Sequence, residues 1–472
     1  MLSRSQRSTL TASGVHGITA HYGRRHLAQV TDLGNIPAEG DKPFRVPLDD
    51  DSFESYNFDP PPYYLETTKD HLRQLYHDML TIRRLEVSAD SLYKQKKIRG
   101  FCHLSTGQEA VSVGIEHGIT RDDLLITAYR SHGNTYMRGA SVQSILGELL
   151  GRQGGISYGK GGSMHMFRKG FFGGNGIVGA SVPVGTGIAM AQQYQESPNI
   201  TVNLYGDGAA NQGQVHEAFN MAKLWELPVL FGCENNQYGM GTSVERASAS
   251  TDYYKRGQYI PGLRVYGMDV LAVQAAVQHA RNYIKSGNGP LVYEFQTYRF
   301  AGHSMSDPGV GYRTREELKH KRESDPISMF KEKLIDWKVH TEDELDELEK
   351  GVRDTIKQDI TEAENMPEPE PNGDTLFQDI YIGHQTSSFS QQIADIQRLV
   401  QQTGLKFMMH STGTTVEGPW DQVMQVIGWA HTLIHQQGIA RIQTDVRITT
   451  RTDKVQPMEG NVASVERILA AT

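Results

Sequence analysis

Apolar residues recur along the first part of the chain at spacings that predict alternating helices and buried strands. After the prolines at 60–62, apolar side chains three and four residues apart predict a long helix. The positions that form its apolar face are Leu72, Leu75, Tyr76, Met79 and Ile82. Thr106 and Glu109 have the spacing of a capping box, so we expect a second helix to open there.

Short apolar runs at 124–129, 199–205 and 228–233 predict buried strands. The last two runs flank a helical apolar face at 215–222. A strand–helix–strand order predicts a parallel sheet, and hence an α/β fold in which helices flank that sheet. Residues 151–187 are dense in glycine and predict loops that let the backbone approach a ligand closely.

A boundary is predicted after this region. The acidic run at 342–349 follows Thr341 and predicts a capped, solvent-exposed helix. The segment 366–374, with the sequence MPEPEPNGD, predicts a stiff and exposed linker, because proline restricts the backbone and the acidic residues favour solvent.

Beyond the linker a second, smaller pattern begins. Apolar spacing predicts helices near 393–400, 423–430 and 461–471, and the turn at Gly413 predicts a hairpin over 406–417. Alternating residues predict one further strand, at Ile442, Thr444, Val446 and Ile448. This order suits a small split βαβ sandwich of the α+β class, provided that 376–383 supplies its first strand.

The composition of the chain argues against several classes of protein. The chain has 472 residues, with 47 basic and 55 acidic side chains, so its formal charge of −8 argues against a nucleic-acid partner. Two cysteines exclude a disulfide framework and suit a reducing compartment. No run of about 18 apolar residues occurs, so we expect no membrane span.

The first thirty residues have the composition of a targeting segment. They contain no Asp or Glu and carry four arginines interleaved with serines. This pattern is typical of a mitochondrial transit peptide, which predicts residence in the mitochondrial matrix. The alternative is a plain disordered tail.

The strongest chemical signal joins two predicted strand ends. Asp207, between Gly206 and Gly208, follows one strand, and Asn236 follows the next, 29 positions later. Because parallel strands open their carboxyl ends on the same edge, the two side chains should meet there. A carboxylate and an amide oxygen, completed by phosphate oxygens, suit magnesium, and the glycines leave backbone N–H groups free to face a diphosphate.

These residues carry a resemblance. From about 53 to 382 the chain resembles the alpha subunits of the pyruvate dehydrogenase decarboxylating component. Six motifs support it: 97–103 (KIRGFCH), 129–132 (YRSH), 158–165 (YGKGGSMH), 173–179 (GGNGIVG), the GDG/ENN pair, and 302–309 (GHSMSDPG). The resemblance implies thiamine diphosphate and magnesium as cofactors, and an α2β2 heterotetramer with a beta subunit.

The resemblance also implies site residues. Its cofactor contacts are Tyr129, Arg130, Gly176, Val178, Gly206, Asp207, Gly208, Ala209, Asn236 and His303. Its metal ligands are Asp207, Asn236 and Tyr238, the last through the main-chain carbonyl, and its catalytic histidines are His103, His132 and His303. Taken singly, Arg130 suits a surface ion pair and Gly176 a simple turn.

The implied reaction is the decarboxylation of pyruvate and transfer of the acyl group to the lipoyl arm of the acyltransferase in the complex. In the family that the chain resembles, the beta chain supplies the glutamate that acts on the aminopyrimidine, so the resemblance implies that this chain is inactive alone. The alternatives are a branched-chain 2-oxo acid dehydrogenase alpha subunit and a non-catalytic thiamine-binding regulator.

Regulation is implied as well. Ser304 matches the serine whose phosphorylation switches the family off, and Ser243 matches another phosphosite, so a kinase and a phosphatase are expected partners. A third family phosphosite is Gly311 in this chain. A phosphate beside a bound diphosphate would repel it or disorder the loop.

The C-terminal part, from about 381 to 471, resembles a small thiamine-binding ferredoxin-like family. The matching motifs are 410–421 (HSTGTTVEGPWD) and 444–453 (TDVRITTRTD). Ser411, Thr412 and Thr415 would hydrogen-bond a heteroaromatic ring, and Trp420 would stack on it. Such a module would store or sense the cofactor; the alternative is a fusion or a gene-model join without shared purpose.

The predicted organisation has five parts. They are a transit peptide at 1–30, an extended segment at 31–62, the thiamine-diphosphate-binding domain at 63–365, a linker at 366–375 and the ferredoxin-like domain at 376–472.

Overall fold

The computed structural model describes residues 31–33, 36–371, 375, 390–410, 413–439, 441–450, 452–453 and 457–470. The chain divides into two compact units, Met1–Pro369 and Glu370–Thr472. Each unit is described by itself. The predicted transit peptide lies outside the described residues.

The first unit contains most of the regular structure. Its strands are β1 (Thr31–Asp32), β2 (Phe44–Pro47), β3 (Phe53–Tyr56), β4 (Tyr64–Thr67), β5 (Leu124–Ile126), β6 (Thr201–Gly206), β7 (Val229–Asn235), β8 (Tyr238–Gly239), β9 (Thr242–Ser243), β10 (Gly262–Tyr266) and β11 (Leu291–Gln296). Its helices are α1 (Lys69–Lys94), α2 (Glu109–Gly118), α3 (His132–Met137), α4 (Val142–Leu149), α5 (Ser181–Tyr194), α6 (Gly213–Leu224), α7 (Val244–Ala247), α8 (Val270–Lys285), α9 (Arg315–Glu323), α10 (Pro326–Asp336) and α11 (Glu342–Asn365).

A six-stranded sheet forms the centre of this unit, in the order β3-β10-β11-β7-β6-β5. Strands β5, β6, β7, β11 and β10 run parallel, whereas β3 pairs antiparallel with β10 at one edge. The predicted α/β fold with helices around a parallel sheet is confirmed, with β3 as an added antiparallel edge. Gly206 pairs in register with Glu234, so β6 and β7 end side by side.

Close helix packing covers the sheet. Helix α1 is buried along the face predicted from its apolar spacing, and Leu72, Leu75 and Met79 are fully buried. Helix α2 lies against α8, where a Cβ at Gly114 would lie 2.6 Å from Cβ of Val273. That approach requires glycine, since no real side chain tolerates such a contact.

The prediction of a capping box at Thr106 was wrong. Helix α2 begins at Glu109, and its N-cap, Gln108, makes no side-chain capping bond. The Glu109 carboxylate is fully buried and pairs with the Arg83 guanidinium, and it also accepts the N–H of Gly107 at 2.9 Å. A buried ion pair outcompetes a capping bond for this carboxylate, because a buried charge requires a partner of opposite sign.

The capped acidic helix is confirmed as α11. The Thr341 hydroxyl accepts the N–H of Glu344 at 3.3 Å, and the Glu344 carboxylate accepts the N–H of Thr341 at 2.9 Å. The amphipathic pattern lets Leu345, Val352 and Ile356 pack inward while the acidic residues face solvent.

The second unit contains α12 (Ser390–Gln402), β12 (Lys406–His410), β13 (Gly413–Glu417), α13 (Trp420–Gln436) and α14 (Met458–Leu469). The predicted hairpin is confirmed, since β12 and β13 pair antiparallel from Lys406 opposite Glu417 to His410 opposite Gly413.

The predicted strand at Ile442–Ile448 is not found: residues 441–450 pair with no other strand of the described residues, and Val446 and Ile448 are about half exposed. An alternating pattern becomes a strand only where a neighbouring edge pairs with its backbone. The predicted first strand at 376–383 lies outside the described residues. In the part of the chain that the structure describes, no helix is both long and apolar enough to span a bilayer.

Candidate functional site

The ends of β6 and β7 bring Asp207 and Asn236 together, as the sequence predicts. Both side chains are buried, at 3% and 9% exposure. Burial raises the pKa of Asp207 to about 6, while hydrogen bonds from the backbone N–H groups of Asp207 and Asn236 and the positive charge of Arg299 favour its charged form. Such a desolvated carboxylate is stabilised by a cation.

The turn after β7 approaches the turn after β6 closely. A Cβ at Gly239 would lie 3.2 Å from Cα of Gly208. The carbonyl of Tyr238 lies in the same turn and accepts one bond from Arg299 Nη1 at 3.3 Å, which leaves a second lone pair. Strands β8 and β9 pair Tyr238 with Ser243, so this predicted phosphosite lies directly across from the predicted metal ligand.

These donors suit a hard cation held jointly by the protein and by phosphate oxygens. The set is one carboxylate from Asp207, one amide oxygen from Asn236 and one carbonyl from Tyr238, the oxygen types that magnesium takes. No group of three or more His, Cys, Asp or Glu side chains able to hold a metal occurs among the described residues. Three protein oxygens leave about half of a six-oxygen magnesium shell for phosphate oxygens and water.

Three aromatic rings form a second wall of the site. The ring of His103 lies 4.6 Å from that of Tyr129 and 5.3 Å from that of His303, and Tyr129 lies 5.6 Å from His303. The Nδ1 atoms of both histidines are buried without a hydrogen-bond partner. Two buried ring nitrogens without hydrogen-bond partners suit a site in which a polar ligand supplies the missing hydrogen bonds.

Burial and neighbouring cations keep both rings neutral. Burial, followed by the charge of Arg130 and then of the other histidine, lowers the pKa of His103 to about 3. Burial, Arg130 and Arg299 lower the pKa of His303 to about 4. Near neutral pH each ring therefore has one N–H donor and one nitrogen acceptor.

Arg130 is buried, which excludes the surface ion pair considered above for the residue alone. Its Nη1 donates to the carbonyl of Leu104 at 2.5 Å and its Nη2 donates to the carbonyl of His303 at 3.0 Å. The guanidinium thus joins the loop after His103 to the loop that carries His303. A direct bond to a diphosphate stays a prediction for this residue.

Glycines of the 173–179 segment leave room beside these groups. A Cβ at Gly174 would lie 2.5 Å from the carbonyl of Met164. Gly176 lies near the His165 ring, and the carbonyl of Val178 accepts Nε2 of Gln212 at 2.8 Å. Ala209 is buried directly after the GDG turn. The predicted pyrimidine contacts of Gly176 and Val178 are not tested by these bonds and stay predictions.

His132 differs from the other two histidines in its hydrogen bonds. It is fully buried, with Nδ1 2.9 Å from Oε2 of Glu86 and Nε2 2.9 Å from Oγ of Ser163. Both ring nitrogens are occupied by protein. The geometry therefore favours a positioning role over the predicted catalytic role.

Two acidic residues of the site were missed by the sequence reasoning. Glu86 lies on the buried face of α1, where spacing alone predicted only apolar residues. Glu148, at 1% exposure, accepts backbone N–H groups of Ser157 and Gly159 at Oε2 and of Gly161 and Gly162 at Oε1, at 2.7–2.9 Å. The sequence signal that could have found both residues was an acidic side chain on the apolar face of a predicted helix.

The loop that carries Ser304 is internally bonded. The Asp307 carboxylate accepts the N–H groups of His303 and Gly309 at 2.6 and 2.9 Å and the hydroxyl of Tyr312 at 2.6 Å. Ser304 is 7% exposed, and its Oγ lies 2.9 Å from Oγ of Ser306. The Ser304 hydroxyl is therefore hardly accessible from solvent in this conformation of the loop.

Comparison with known proteins agrees with this geometry. A profile of the family described as "Dehydrogenase E1 component" matches residues 77–372, which include every residue placed above at the two strand ends and the aromatic wall. The chain belongs to the dehydrogenase E1 component family. This family depends on thiamine diphosphate, and a diphosphate at the two strand ends stays a prediction.

Several curated relatives of this E1 chain are named as alpha subunits of a pyruvate dehydrogenase E1 component. A protein of Chaetomium thermophilum, "Pyruvate dehydrogenase E1 component subunit alpha, mitochondrial", is 62% identical over 356 residues, which cover 75% of this chain and 86% of the relative. The Saccharomyces cerevisiae protein of the same name is 56% identical over 345 residues, covering 73% and 82%. The human somatic form is 57% identical over 310 residues, covering 66% and 80%.

A second profile, described as "Thiamine-binding protein", matches residues 377–466. Of the ring contacts predicted in this region, Thr415 lies exposed on β13 and Trp420 is 59% exposed at the start of α13. Ser411 and Thr412 lie outside the described residues. Binding of a heteroaromatic ring by this unit stays a prediction.

Proposed function

We propose that the chain is the alpha subunit of a mitochondrial pyruvate dehydrogenase decarboxylating component. The relatives whose printed name says so are 54–62% identical over about three quarters of this chain in fungi. The observation that carries the proposal is the meeting of Asp207 and Asn236 at adjacent strand ends. The alternatives, a branched-chain enzyme and a non-catalytic regulator, are not favoured by these relatives.

Magnesium and the diphosphate would be held at that edge of the sheet. Asp207, Asn236 and the carbonyl of Tyr238 would supply oxygens to the cation, and the Gly206 and Gly208 backbone would face the phosphates. The Arg299 and Arg130 guanidinium groups favour the charged form of Asp207, which keeps it available as a ligand. Tyr129 and Ala209 would line the same space.

Thiamine diphosphate supplies a thiazolium carbon nucleophile and an electron sink for decarboxylation of a 2-oxo acid. This chain would contribute the neutral rings of His103 and His303, whose free Nδ1 atoms accept or donate a proton beside the reacting carbon. Their ring contacts with Tyr129 hold them in place.

The site requires a beta subunit. Beside the Gly176 segment, Ile177 is 73% exposed, and α5 exposes Val184, Met190 and Tyr194 at 49%, 50% and 89%. Exposed apolar side chains next to a cofactor site are typical of a surface that a second subunit covers. We infer an α2β2 assembly in the mitochondrial matrix, which delivers the acyl group to the lipoyl-bearing acyltransferase.

Phosphorylation would switch the enzyme off at Ser304, with a kinase and a phosphatase as partners. A phosphate there adds about −1.5 to −2 charges one residue from His303 and within the Asp307 network, which like charges would disrupt. Ser243, across from Tyr238, would act on the metal turn in the same way. Replacing Ser304 by Glu should abolish most turnover, and wild-type turnover would contradict the charge mechanism.

The predicted division of the chain is part of the proposal. Residues 63–365 would form the cofactor-binding domain, 366–375 the linker and 376–472 the ferredoxin-like domain, after a transit peptide at 1–30 and an extended segment at 31–62. The contact boundary at Pro369 falls within the proposed linker and supports it.

The test is co-expression with the beta subunit of a fungal relative. We expect an α2β2 complex that binds thiamine diphosphate with magnesium and decarboxylates pyruvate faster than branched-chain 2-oxo acids. Asp207→Ala should assemble but lose cofactor binding, whereas the exposed control Asp50→Ala should behave as wild type. An active chain without the beta subunit, or full cofactor affinity in Asp207→Ala, would contradict the proposal.

A further inference from the structure

A chain of hydrogen bonds runs from the interior of α1 to the backbone of His103. The fully buried Glu86 uses Oε1 to accept the N–H and the hydroxyl of Ser105, at 3.0 and 2.7 Å, and its Oε2 lies 2.9 Å from Nδ1 of His132. Nε2 of His132 lies 2.9 Å from Oγ of Ser163, which also accepts the backbone N–H of His103 at 3.2 Å. Each link is between buried groups.

The chemistry of these groups determines which atom is the donor and which is the acceptor in each hydrogen bond. A carboxylate only accepts, so Nδ1 of His132 carries the proton that is donated to Glu86. In the neutral ring Nε2 is then an acceptor, and the hydroxyl of Ser163 donates to it. A lone pair of the same Oγ remains for the N–H of His103. Each donor in this series of hydrogen bonds therefore has an acceptor.

Resting on the proposed function, we propose that Ser163 is a positioning residue that holds the backbone of His103 in the cofactor site, and that Glu86 acts on Ser163 through His132. His132 has no free nitrogen with which to touch a substrate. Its role in this arrangement is to fix Ser163, as Glu86 fixes His132.

His103 depends on this anchor because its own ring lacks one. Its Nδ1 has no hydrogen-bond partner, and its ring is held by contacts with Tyr129 and His303. The bond from its backbone N–H to Ser163 is therefore a polar restraint close to the ring. A displacement of about 1 Å at a reacting group costs up to about 100-fold in rate.

The experiment uses the complex of this chain with its beta subunit. Ser163→Ala should lower kcat for pyruvate about tenfold or more, with KM for pyruvate and Kd for thiamine diphosphate within about threefold of wild type. Ser163→Thr keeps the hydroxyl and should recover most of kcat. Glu86→Gln presents an amide N–H₂ group to His132, which reverses the proton direction, and should resemble Ser163→Ala.

Two matched controls separate positioning from general loss of stability. Glu109→Gln changes another fully buried glutamate, which pairs with Arg83, and Ser52→Ala removes another buried hydroxyl. Both should keep wild-type kcat in the folded complex. Wild-type kcat in Ser163→Ala, no recovery in Ser163→Thr, or an equal loss in Glu109→Gln and Glu86→Gln would overturn the proposal.

A readout that needs no turnover distinguishes this proposal from the proposed function. Hydrogen exchange of the His103 amide in the complex should be about tenfold faster in Ser163→Ala than in wild type and unchanged in Ser52→Ala. Unchanged exchange would overturn the positioning role. A wild-type complex that leaves pyruvate untouched would overturn the proposed function alone, and the exchange result would still decide the role of Ser163. If Glu86→Gln fails to fold, the Ser163 pair decides the question.

Discussion

At the residue scale, the two histidines of the cofactor wall owe their chemistry to what surrounds them. Neither His103 nor His303 has an acidic partner on its ring in the described structure, and both lie near the buried guanidinium of Arg130. Keeping these two rings neutral lowers the stability of the fold at low pH, because a proton on either ring would be buried and would be repelled by the nearby cations.

The pH dependence of stability follows from the lowered pKa values. An unfolded histidine titrates near 6.5, so below that pH the unfolded chain binds a proton that folded His303 accepts only near pH 4. Stability should therefore fall as the pH drops from about 6.5 to about 4. His303→Gln should flatten this acid limb in chemical denaturation of the complex, whereas His320→Gln, at an exposed position, should leave it as in wild type.

At the element scale, buried carboxylates and caps fix segments that apolar spacing leaves undetermined. The glycine-dense loop at 157–162 is held by four N–H donors converging on Glu148, at the end of α4. Ser163 follows immediately, so this carboxylate sets the position from which the hydroxyl reaches His132. Helix α11 is held at its start by the Thr341–Glu344 capping box.

Replacing Glu148 by Gln should loosen the loop. The amide keeps one acceptor oxygen but turns an N–H₂ group toward two backbone donors, which costs about 2–4 kcal/mol of unfolding free energy. Hydrogen exchange at 159–162 should accelerate strongly. Glu217→Gln, an exposed change on α6, is the control, and equal exchange in both variants would disprove the role of Glu148.

The cap of α11 is measurable by itself. Thr341→Ala removes the acceptor of the N–H of Glu344 and should destabilise the first unit by about 1 kcal/mol. Thr341→Ser keeps the hydroxyl, so it should lower the free energy of unfolding by only a few tenths of a kcal/mol. Thermal unfolding of the assembled protein gives the comparison, and equal losses in both variants would show that the hydroxyl bond contributes nothing.

At the scale of the whole molecule, the two units have separate cores. The first unit buries its own sheet and helices, whereas the buried apolar residues described in the second are Val400, Val426 and Ile434. The boundary at Pro369 leaves Met366 in the first unit, where a Cβ at Gly147 or Gly154 would lie 2.7 Å from its sulfur. Catalysis should therefore depend on the first unit alone.

Two truncations test this independence. A chain ending after Pro369, expressed with the beta subunit, should assemble and turn over pyruvate at a rate within about twofold of the full chain. A chain ending after Asn365 loses Met366 and the bond from the N–H of Gln153 to the carbonyl of Pro367, and should be less stable by about 2–4 kcal/mol. Loss of assembly in the longer truncation would assign the second unit a role in the complex.

The sequence by itself determined the α/β class, the neighbouring strand ends and the residues Asp207 and Asn236. Chain order and apolar runs specify parallel strands, and parallel strands necessarily share one open edge. It also determined the capped helix after Thr341, because a capping box is a local interaction over four residues. It failed where the partner is distant in sequence.

Only the tertiary structure decided the roles of Glu109, Arg130, His132 and the segment 441–450. Glu109 joins Arg83 instead of a cap, Arg130 bonds two backbone carbonyls, and His132 lies between Glu86 and Ser163. The alternating residues at 442–448 pair with no strand among the residues that the structure describes. The physical reason is common to all four: whether a polar group or an edge is satisfied depends on what the fold places beside it, and residue spacing carries no information about that neighbour.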